Sequence, residues 1–417
     1  MAHAHIVGAG LAGLSCALRL VQAGYVVSVY EATGHAGGRC RSFFDEKFGR
    51  VIDNGNHLLM NGNTHALAYL DAIGSENTLI APTEAAFPFM DLKTGERWTV
   101  RPNDGRMPWW ILTPSRRVAG TRVSAYLSTF RLAFAGPEET VTDCIAPCGP
   151  LYHRFWAPLA ISILNTAPSE SSAKLFWSVV AQTFARGAST CRPLVARDGL
   201  SVSFIDPALR RLAELGVNVQ FHRRARALDL EPDKVRALDF GQERVALGAK
   251  DWVILAVTPP AAADLVPGLE VPTESRAIVN AHIRLPGEIR ILGDSPILGL
   301  IGGTAQWLFL RRDVASLTVS AADALTELPI DVLARKLWFD TSRALGLDPQ
   351  IEPPIRVIKE RQATFAQTPA QLARRPLPRT AWSNLLLAGD WTDTGFPATI
   401  EGAVRSGFAA ARLVSKA

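Results

Sequence analysis

The sequence predicts an α/β fold, in which a Rossmann-like dinucleotide-binding domain is interrupted by a second domain of antiparallel sheet with a helical cap. Three observations predict it. An apolar strand enters a G-x-G-x-x-G turn at the amino end, and a strand ending in Gly389-Asp390 and followed by a helix stands at the carboxyl end. Between them, tryptophan-rich stretches give way to runs of alternating hydrophobicity. A nucleotide site divided between the two ends of one chain makes the intervening residues insertions, so the nucleotide domain is discontinuous.

The first element is His5-Ile-Val-Gly8-Ala-Gly10-Leu-Ala-Gly13-Leu-Ser-Cys-Ala-Leu, a strand, a tight turn and an Ala/Leu helix, followed by the strand Tyr25-Val-Val-Ser-Val-Tyr30-Glu31. Gly8 permits the turn, Gly10 lets backbone approach a pyrophosphate, and Gly13 lets the helix lie on the strand, aiming the helix N-terminus at the phosphates. Glu31 ends the second strand where an acid takes ribose hydroxyls. Next comes Ala32-Thr-Gly-His-Ala-Gly37-Gly38-Arg39. An NAD site needs no second glycine pair here, whereas FAD gains further backbone N–H groups and a planar guanidinium, Arg39, for phosphate or flavin edge. The segment Asp53-Asn-Gly55-Asn56-His57 again places glycine and short polar residues where backbone is held near the ring.

At 417 residues the chain exceeds what one core supports, so two domains are expected. The nucleotide domain takes residues 1–85, 191–270 and 351–417, and the substrate domain takes 86–190 and 271–350. Within 86–190, Trp98, Trp109, Trp110, Trp156 and Trp177 lie among basic and aliphatic residues, which reads as mostly helical with a large apolar surface. Asp206 to Gly216 reads as a helix closed by glycine, Val217 to His222 as a strand, Ala225 to Leu247 as a hairpin, and Trp252-Val-Ile-Leu as a buried strand ended by prolines. Ile278 to Leu325 alternates as an antiparallel sheet does. Leu385-Leu-Leu-Ala-Gly389-Asp390 is a final strand. The helix from Ala398 aims its positive end at a reduced flavin, and Asp390 suits the ribityl chain.

Composition limits the partners. Apolar residues make up 48% and mean hydropathy is +0.11, yet no uninterrupted apolar run approaches the roughly eighteen residues that span a bilayer. The start of the chain leads straight into the first strand and leaves no room for a signal peptide, so a cytoplasmic protein is expected, resting on the inner face of the cell membrane. The net charge of +5 comes without a basic block interleaved with aromatics, which excludes nucleic acid and suits anionic lipid head groups. Five cysteines, an odd number, argue against a disulfide framework. Cys144 and Cys148 have the wrong spacing for a zinc knuckle and no second half-site, so no metal is expected.

From end to end the chain resembles the amine-oxidase/phytoene-desaturase superfamily of FAD proteins, and most specifically the bacterial hydroxysqualene dehydroxylases. The resemblance is carried by Asp53-Asn-Gly-Asn-His-Leu-Leu-Met-Asn-Gly-Asn, Asn280-Ala-His-Ile-Arg-Leu, Gly302-Gly-Thr-Ala-Gln-Trp-Leu-Phe, Lys359-Glu-Arg-Gln-Ala-Thr-Phe-Ala-Gln-Thr-Pro and Leu387-Ala-Gly-Asp-Trp-Thr-Asp-Thr-Gly-Phe-Pro-Ala-Thr-Ile-Glu. It implies flavin contacts at Gly8, Gly10, Ala12, Gly13, Glu31, Ala32, Gly38, Arg39, Gly55, Asn56, His57, Ala225, Gly389, Asp390, Ala398, Thr399 and Ile400. Ala225 stands where many relatives carry valine, at a contact usually made through backbone.

The implied reaction replaces the hydroxyl of hydroxysqualene by hydride from reduced flavin, giving squalene for hopanoid or related triterpene synthesis. Losing hydroxyl from an allylic carbon makes a delocalised cation, which calls for a dry aromatic pocket, a proton donor and hydride held close. Trp307, Phe309, Trp391 and Phe396 are expected in that wall. His57, which titrates near neutrality when unperturbed, leads the expected proton donors, followed by His282 and Asp393. The external reductant of the flavin is not legible. Three other readings stay open: a carotenoid or phytoene desaturase, a flavin amine oxidase, and a non-catalytic membrane-bound flavoprotein. The absence of lysine between Lys250 and Lys336 argues against the amine oxidase, whose relatives often place a lysine beside the flavin from the substrate-domain sheet.

Overall fold

The computed structural model describes residues 2–289 and 295–416. Its nucleotide half is built on a parallel five-stranded sheet in the order Val219–Gln220, Val26–Tyr30, His3–Val7, Trp252–Leu255, Leu385–Leu387. Sequence neighbours are therefore scattered across the sheet, and the final strand lies beside residue 254, as a discontinuous domain requires. Helix Leu11–Gln22 and helix Ile400–Val414 pack on one face of this sheet. They meet so closely that a Cβ on Gly407 would lie 2.2 Å from both the Ala12 carbonyl oxygen and Ser15 Oγ. The hairpin expected over 225–247 is a three-stranded antiparallel sheet, Ala227–Leu230, Val235–Asp239 and Arg244–Ala246, covering the other face. The prolines after Trp252–Leu255 end that strand by opening helix Pro259–Leu265.

The substrate half is a seven-stranded sheet in the order Ile355–Phe365, Ser275–Arg284, Val314–Val319, Trp307–Arg311, Ile297–Ile301, Phe87–Asp91, Arg97–Val100. Every neighbouring pair is antiparallel except Ile297–Ile301 with Phe87–Asp91. One boundary and one element type of the sequence reading are corrected here. Ile355–Phe365 pairs along Ser275–Arg284 and belongs to this sheet, not to a nucleotide segment starting at 351. Phe87–Asp91 and Arg97–Val100 are its far edge and not part of a helical insertion. An isolated strand carries no mark of its partner. Phe87-Pro-Phe-Met, moreover, has neither a helical nor an alternating period.

The cap lies over Phe89 and Trp307. Phe89 stacks on Trp98 at 5.7 Å between ring centres and meets Trp307 edge-on at 5.5 Å and Phe155 at 6.1 Å. Such offset and edge contacts add to the burial of large rings. Helices Ala157–Leu164 and Ala173–Gln182 carry the cap, while Val123–Phe134 winds as 3-10 turns. Asn165 fixes cap to sheet from a left-handed backbone (φ 48°), its amide donating to the Arg276 carbonyl and Thr364 Oγ1 while its oxygen accepts the Ala321 N–H. Met107, Trp109, Leu127, Phe130 and Phe134 stand exposed on the cap, Phe134 at 87%. Among the described residues, no helix is long and apolar enough to cross a membrane. All five cysteines are free, and only Cys148 is exposed.

Candidate active site

The nucleotide end gathers where the parallel strands finish, as ligand sites in open α/β sheets do. Gly8 (φ 107°) turns the chain so tightly that a Cβ there would lie 2.4 Å from the Ala256 oxygen, and one on Gly13 would lie 1.9 Å from the Gly8 oxygen. Around a Cβ on Gly10, by contrast, no atom lies within 4 Å, leaving room over the helix start for a phosphate. The second glycine loop docks onto the first, with the Gly37 N–H donating to the Ala9 carbonyl at 2.8 Å. Glu31 accepts from the N–H groups of Ala9 and Thr33, so its carboxylate already faces the first turn. Ala32 and Gly38 lie exposed beside it. Ala225 is placed by the neighbouring Arg223 N–H, which donates to the Glu31 carbonyl.

Arg39 and Asp390 join the two ends of the chain. The Arg39 guanidinium donates to both Asp390 oxygens at 2.7 Å and to the Ala363 carbonyl. The pair is 42% exposed on the arginine side and 8% on the aspartate side, so solvent screens only one partner. Behind it, Gly389 donates to Ser406 Oγ, Thr399 caps the closing helix by accepting the Gly402 N–H, and Ile400 is buried in the core. The Ala398 N–H is held by Gln367 Oε1.

Gly55, Asn56 and His57 follow the strand Arg50–Asp53, and a Cβ on Gly55 would press on Asn280 of the substrate sheet. Asn56 donates to Thr318 Oγ1 at 3.0 Å, leaving its own Oδ1 buried without a partner. The fit of a bound FAD rests on the nucleotide turns, where the open space over Gly10 beside the held Glu31 carboxylate suits its phosphates and ribose. His57 lines a small chamber of about 10 Å³ with Val195, Ala196, Leu200, Phe309 and Leu310 and with the polar Asp53, Asn56 and Arg311. Asp53 is held by Arg311 at 2.6 Å, Ser42 at 2.6 Å and the Leu200 N–H at 2.9 Å. Among the described residues, nothing hydrogen-bonds the His57 ring. Burial pushes its imidazole down to about 4, although Asp53 pulls the other way. The near-neutral titration expected of His57 is therefore corrected: its ring is neutral at pH 7.

The other expected donors and walls are placed elsewhere. His282 is sealed inside the sheet, Nδ1 with Ser316 Oγ at 2.8 Å and Nε2 with the Asp53 carbonyl at 2.9 Å, and burial lowers it to about 4. With both nitrogens engaged it holds the strand leading to His57 and has no free proton to deliver. Asp393 is exposed, because Thr392 turns back onto the Gly389 carbonyl and swings the next residue outward. Trp391 packs in the nucleotide core, its indole donating to the Val257 carbonyl at 2.8 Å. Phe396 is covered by the Arg405 guanidinium at 4.5 Å. Trp307 is tied to Ser162 within the cap core, whereas Phe309, two residues along the same strand, reaches the chamber.

Three residues that organise the site went unread in the sequence. Buried Arg375 donates to the carbonyls of Asp390, Thr392 and Phe396, shaping the loop beyond Gly389-Asp390. Gln367 bridges the Leu164 carbonyl and the Ala398 N–H, joining cap to flavin helix. Glu401 is 1% exposed and accepts from His65 and the Ala66 N–H; burial raises its carboxyl, but these partners hold it below the usual range.

Comparison with known proteins gives a consistent set of similarities. The family model described as flavin containing amine oxidoreductase matches residues 11–415. The chain is similar to a hydroxysqualene dehydroxylase of Sinorhizobium fredii, 47% identical over 409 residues that cover 98% of this chain and 97% of that one. It is also similar to a hydroxysqualene dehydroxylase of Zymomonas mobilis, 40% identical over 413 residues and 99% of each chain. Among solved structures, cyclohexylamine oxidase from Brevibacterium oxydans superposes with a TM-score of 0.71 over 100% of this chain and 99% of that one, at 16% identity, a likeness of fold.

Proposed function

The chain belongs to the hydroxysqualene dehydroxylases within the flavin containing amine oxidoreductase family, and we propose that it replaces the hydroxyl of hydroxysqualene by hydride, releasing squalene and water. FAD is its redox group and supplies the hydride when bound and reduced. The observation that carries the reading is the 47% identity to a hydroxysqualene dehydroxylase over 98% of this chain. Phe309 offers an allylic cation an aromatic face that attracts it, while the aliphatic side chains beside it keep out water that would trap it.

The chain's own groups serve binding, orientation and proton movement. Gly10 and Gly38 would leave backbone open to the pyrophosphate on the turn that Gly8 and Gly13 shape, Glu31 would take ribose hydroxyls, and Arg39 with Asp390 would hold the ribityl side. His57, neutral at pH 7, donates a hydrogen bond from its protonated nitrogen to the departing hydroxyl. The hydrogen bond favours departure of the hydroxyl, and the proton that completes the released water comes from solvent, so the ring stays neutral throughout. Asp53, Arg311 and His282 hold the strand that positions this ring.

The amine-oxidase reading is disfavoured by one side chain. Among the described strands of the seven-stranded sheet the lysine is Lys359, whose ammonium donates to the carbonyls of Thr326 and Leu328. The deciding experiment mixes anaerobically reduced protein with detergent-dispersed hydroxysqualene. Flavin reoxidation with stoichiometric squalene is expected, and unchanged flavin absorbance with no squalene would overturn the proposal.

We further infer that the cap rests on the inner face of the cell membrane and receives its substrate there, as part of hopanoid-type synthesis. Trp109, Phe130 and Phe134 are exposed on the cap, whose segment also carries Arg106, Arg117 and Arg131, a pairing that suits an anionic interface. Replacing Trp109 and Phe134 together by serine is expected to abolish sedimentation with anionic vesicles while sparing turnover of dispersed substrate. Full vesicle binding by that variant would refute the docking face.

A further inference from the structure

At the start of the first nucleotide strand, away from the flavin turns, lies a cluster that the proposed reaction does not use. His3 and His5 alternate with Ala4 and so project to the same face of the strand, their rings stacked at 4.0 Å between centres. Asp251, which precedes the neighbouring strand Trp252–Leu255, comes beside them through the pairing of Ala4 with Trp252. One ligand atom from each of the three side chains falls within 4.8 Å of the others. We propose that His3, His5 and Asp251 bind a divalent transition-metal ion of the zinc class, which would clasp the first strand to its neighbour.

Several independent features point to a ligand. His5 is 2% exposed, yet its Nε2 has no hydrogen-bond partner and stands 3.8 Å from Asp251 Oδ2, too far for a hydrogen bond. A metal between them supplies what the ring lacks. Each imidazole is also fixed through its other side: His5 Nδ1 lies 3.0 Å from the Tyr30 hydroxyl and His3 Nε2 lies 2.9 Å from Ser28 Oγ. Metal-binding histidines characteristically engage an oxygen through the second nitrogen in this way, which sets the ring orientation. Asp251 is likewise pinned, one oxygen accepting the His3 N–H and the other the Gly248 N–H.

The donor set selects the class of ion. Two imidazoles and one carboxylate suit zinc, cobalt or nickel, whereas calcium and magnesium prefer all-oxygen sites. Half-buried His3 leaves one side open to a water as the fourth ligand. Only His-x-His is visible along the chain, because the third ligand lies across the sheet.

The test uses tag-free, full-length, FAD-loaded protein, stripped with a chelator and titrated with zinc against a chromophoric competitor. About one zinc per chain is expected for the wild type and for His153→Ala, which changes an exposed histidine of the cap. His3→Gln and Asp251→Asn should each weaken binding at least about 10-fold. Zinc should raise the thermal midpoint of the wild type and leave those two variants unmoved, because only a ligand of the folded state stabilises it. Equal flavin content in all four proteins verifies folding. No stoichiometric zinc in the wild type, or undiminished affinity in both ligand variants, overturns the site.

Discussion

On the nucleotide side, a Cβ placed on Gly8, Gly13 or Gly407 would fall within 2.4 Å of backbone oxygen, so backbone packed on backbone holds the turn that frames the open space over Gly10. On the chamber side, the apolar residues beside His57 are Val195, Leu200, Phe309 and Leu310, side chains packed around a small space with Asp53, Asn56 and Arg311. The first kind of site tolerates no added atom. The second tolerates exchange of side chains and loses function in proportion to the space opened. A flavin shared by many chemistries needs the rigid mould, while a particular hydrocarbon is selected by the adjustable wall.

The sharpest way to break this contrast is at Gly13. Gly13→Val puts side chain where the Gly8 carbonyl stands, and colourless protein with a stability loss above about 4 kcal/mol is expected, read by flavin absorbance and denaturant melting. A yellow, stable variant would mean the mould is softer than its geometry. Phe309→Ala is the counterpart. It should cost about 3 kcal/mol in stability and lower turnover strongly while flavin content stays at one per chain.

Asp390→Asn tests the join between the chain ends. Losing the bidentate partner leaves Arg39 without its countercharge, and FAD affinity should fall about 10-fold, measured by fluorescence on dilution. The partial exposure of Arg39 keeps the effect below that of a fully buried pair.

The smallest expected effect is a pH dependence. His282 titrates at about 4 when folded and 6.5 otherwise, so between these values the unfolded chain binds more protons. Its contribution is complete above pH 6.5 and lost as pH falls toward 4, roughly 1–3 kcal/mol. His57 adds in the same direction. His282→Gln should flatten that window of the stability curve while lowering its plateau. Turnover should show no acid limb near 6.5 from His57, and a limb there that vanishes in His57→Gln would return the ring to the role of a charged acid.

How much could be read in advance follows from the same contrast. The turns at Gly8 and Gly37-Gly38, the strand closing on Gly389-Asp390 and the alternation of 278–325 were legible because each is a local constraint on backbone or period. Trp391 and Phe396 sit two and seven residues from Gly389, yet one fills the nucleotide core and the other lies under Arg405. Asp393 was near the flavin in sequence and faces solvent in space.

By itself the sequence determined the cofactor class and the two-ended nucleotide domain, since a glycine required by a close approach is required whatever surrounds it. Only the tertiary structure decided that Ile355–Phe365 completes the substrate sheet, that Arg375 gathers the Asp390 loop, and that burial leaves His57 neutral. Those outcomes depend on which distant surfaces exclude water and supply partners, and that is a property of the packed chain, not of any segment within it.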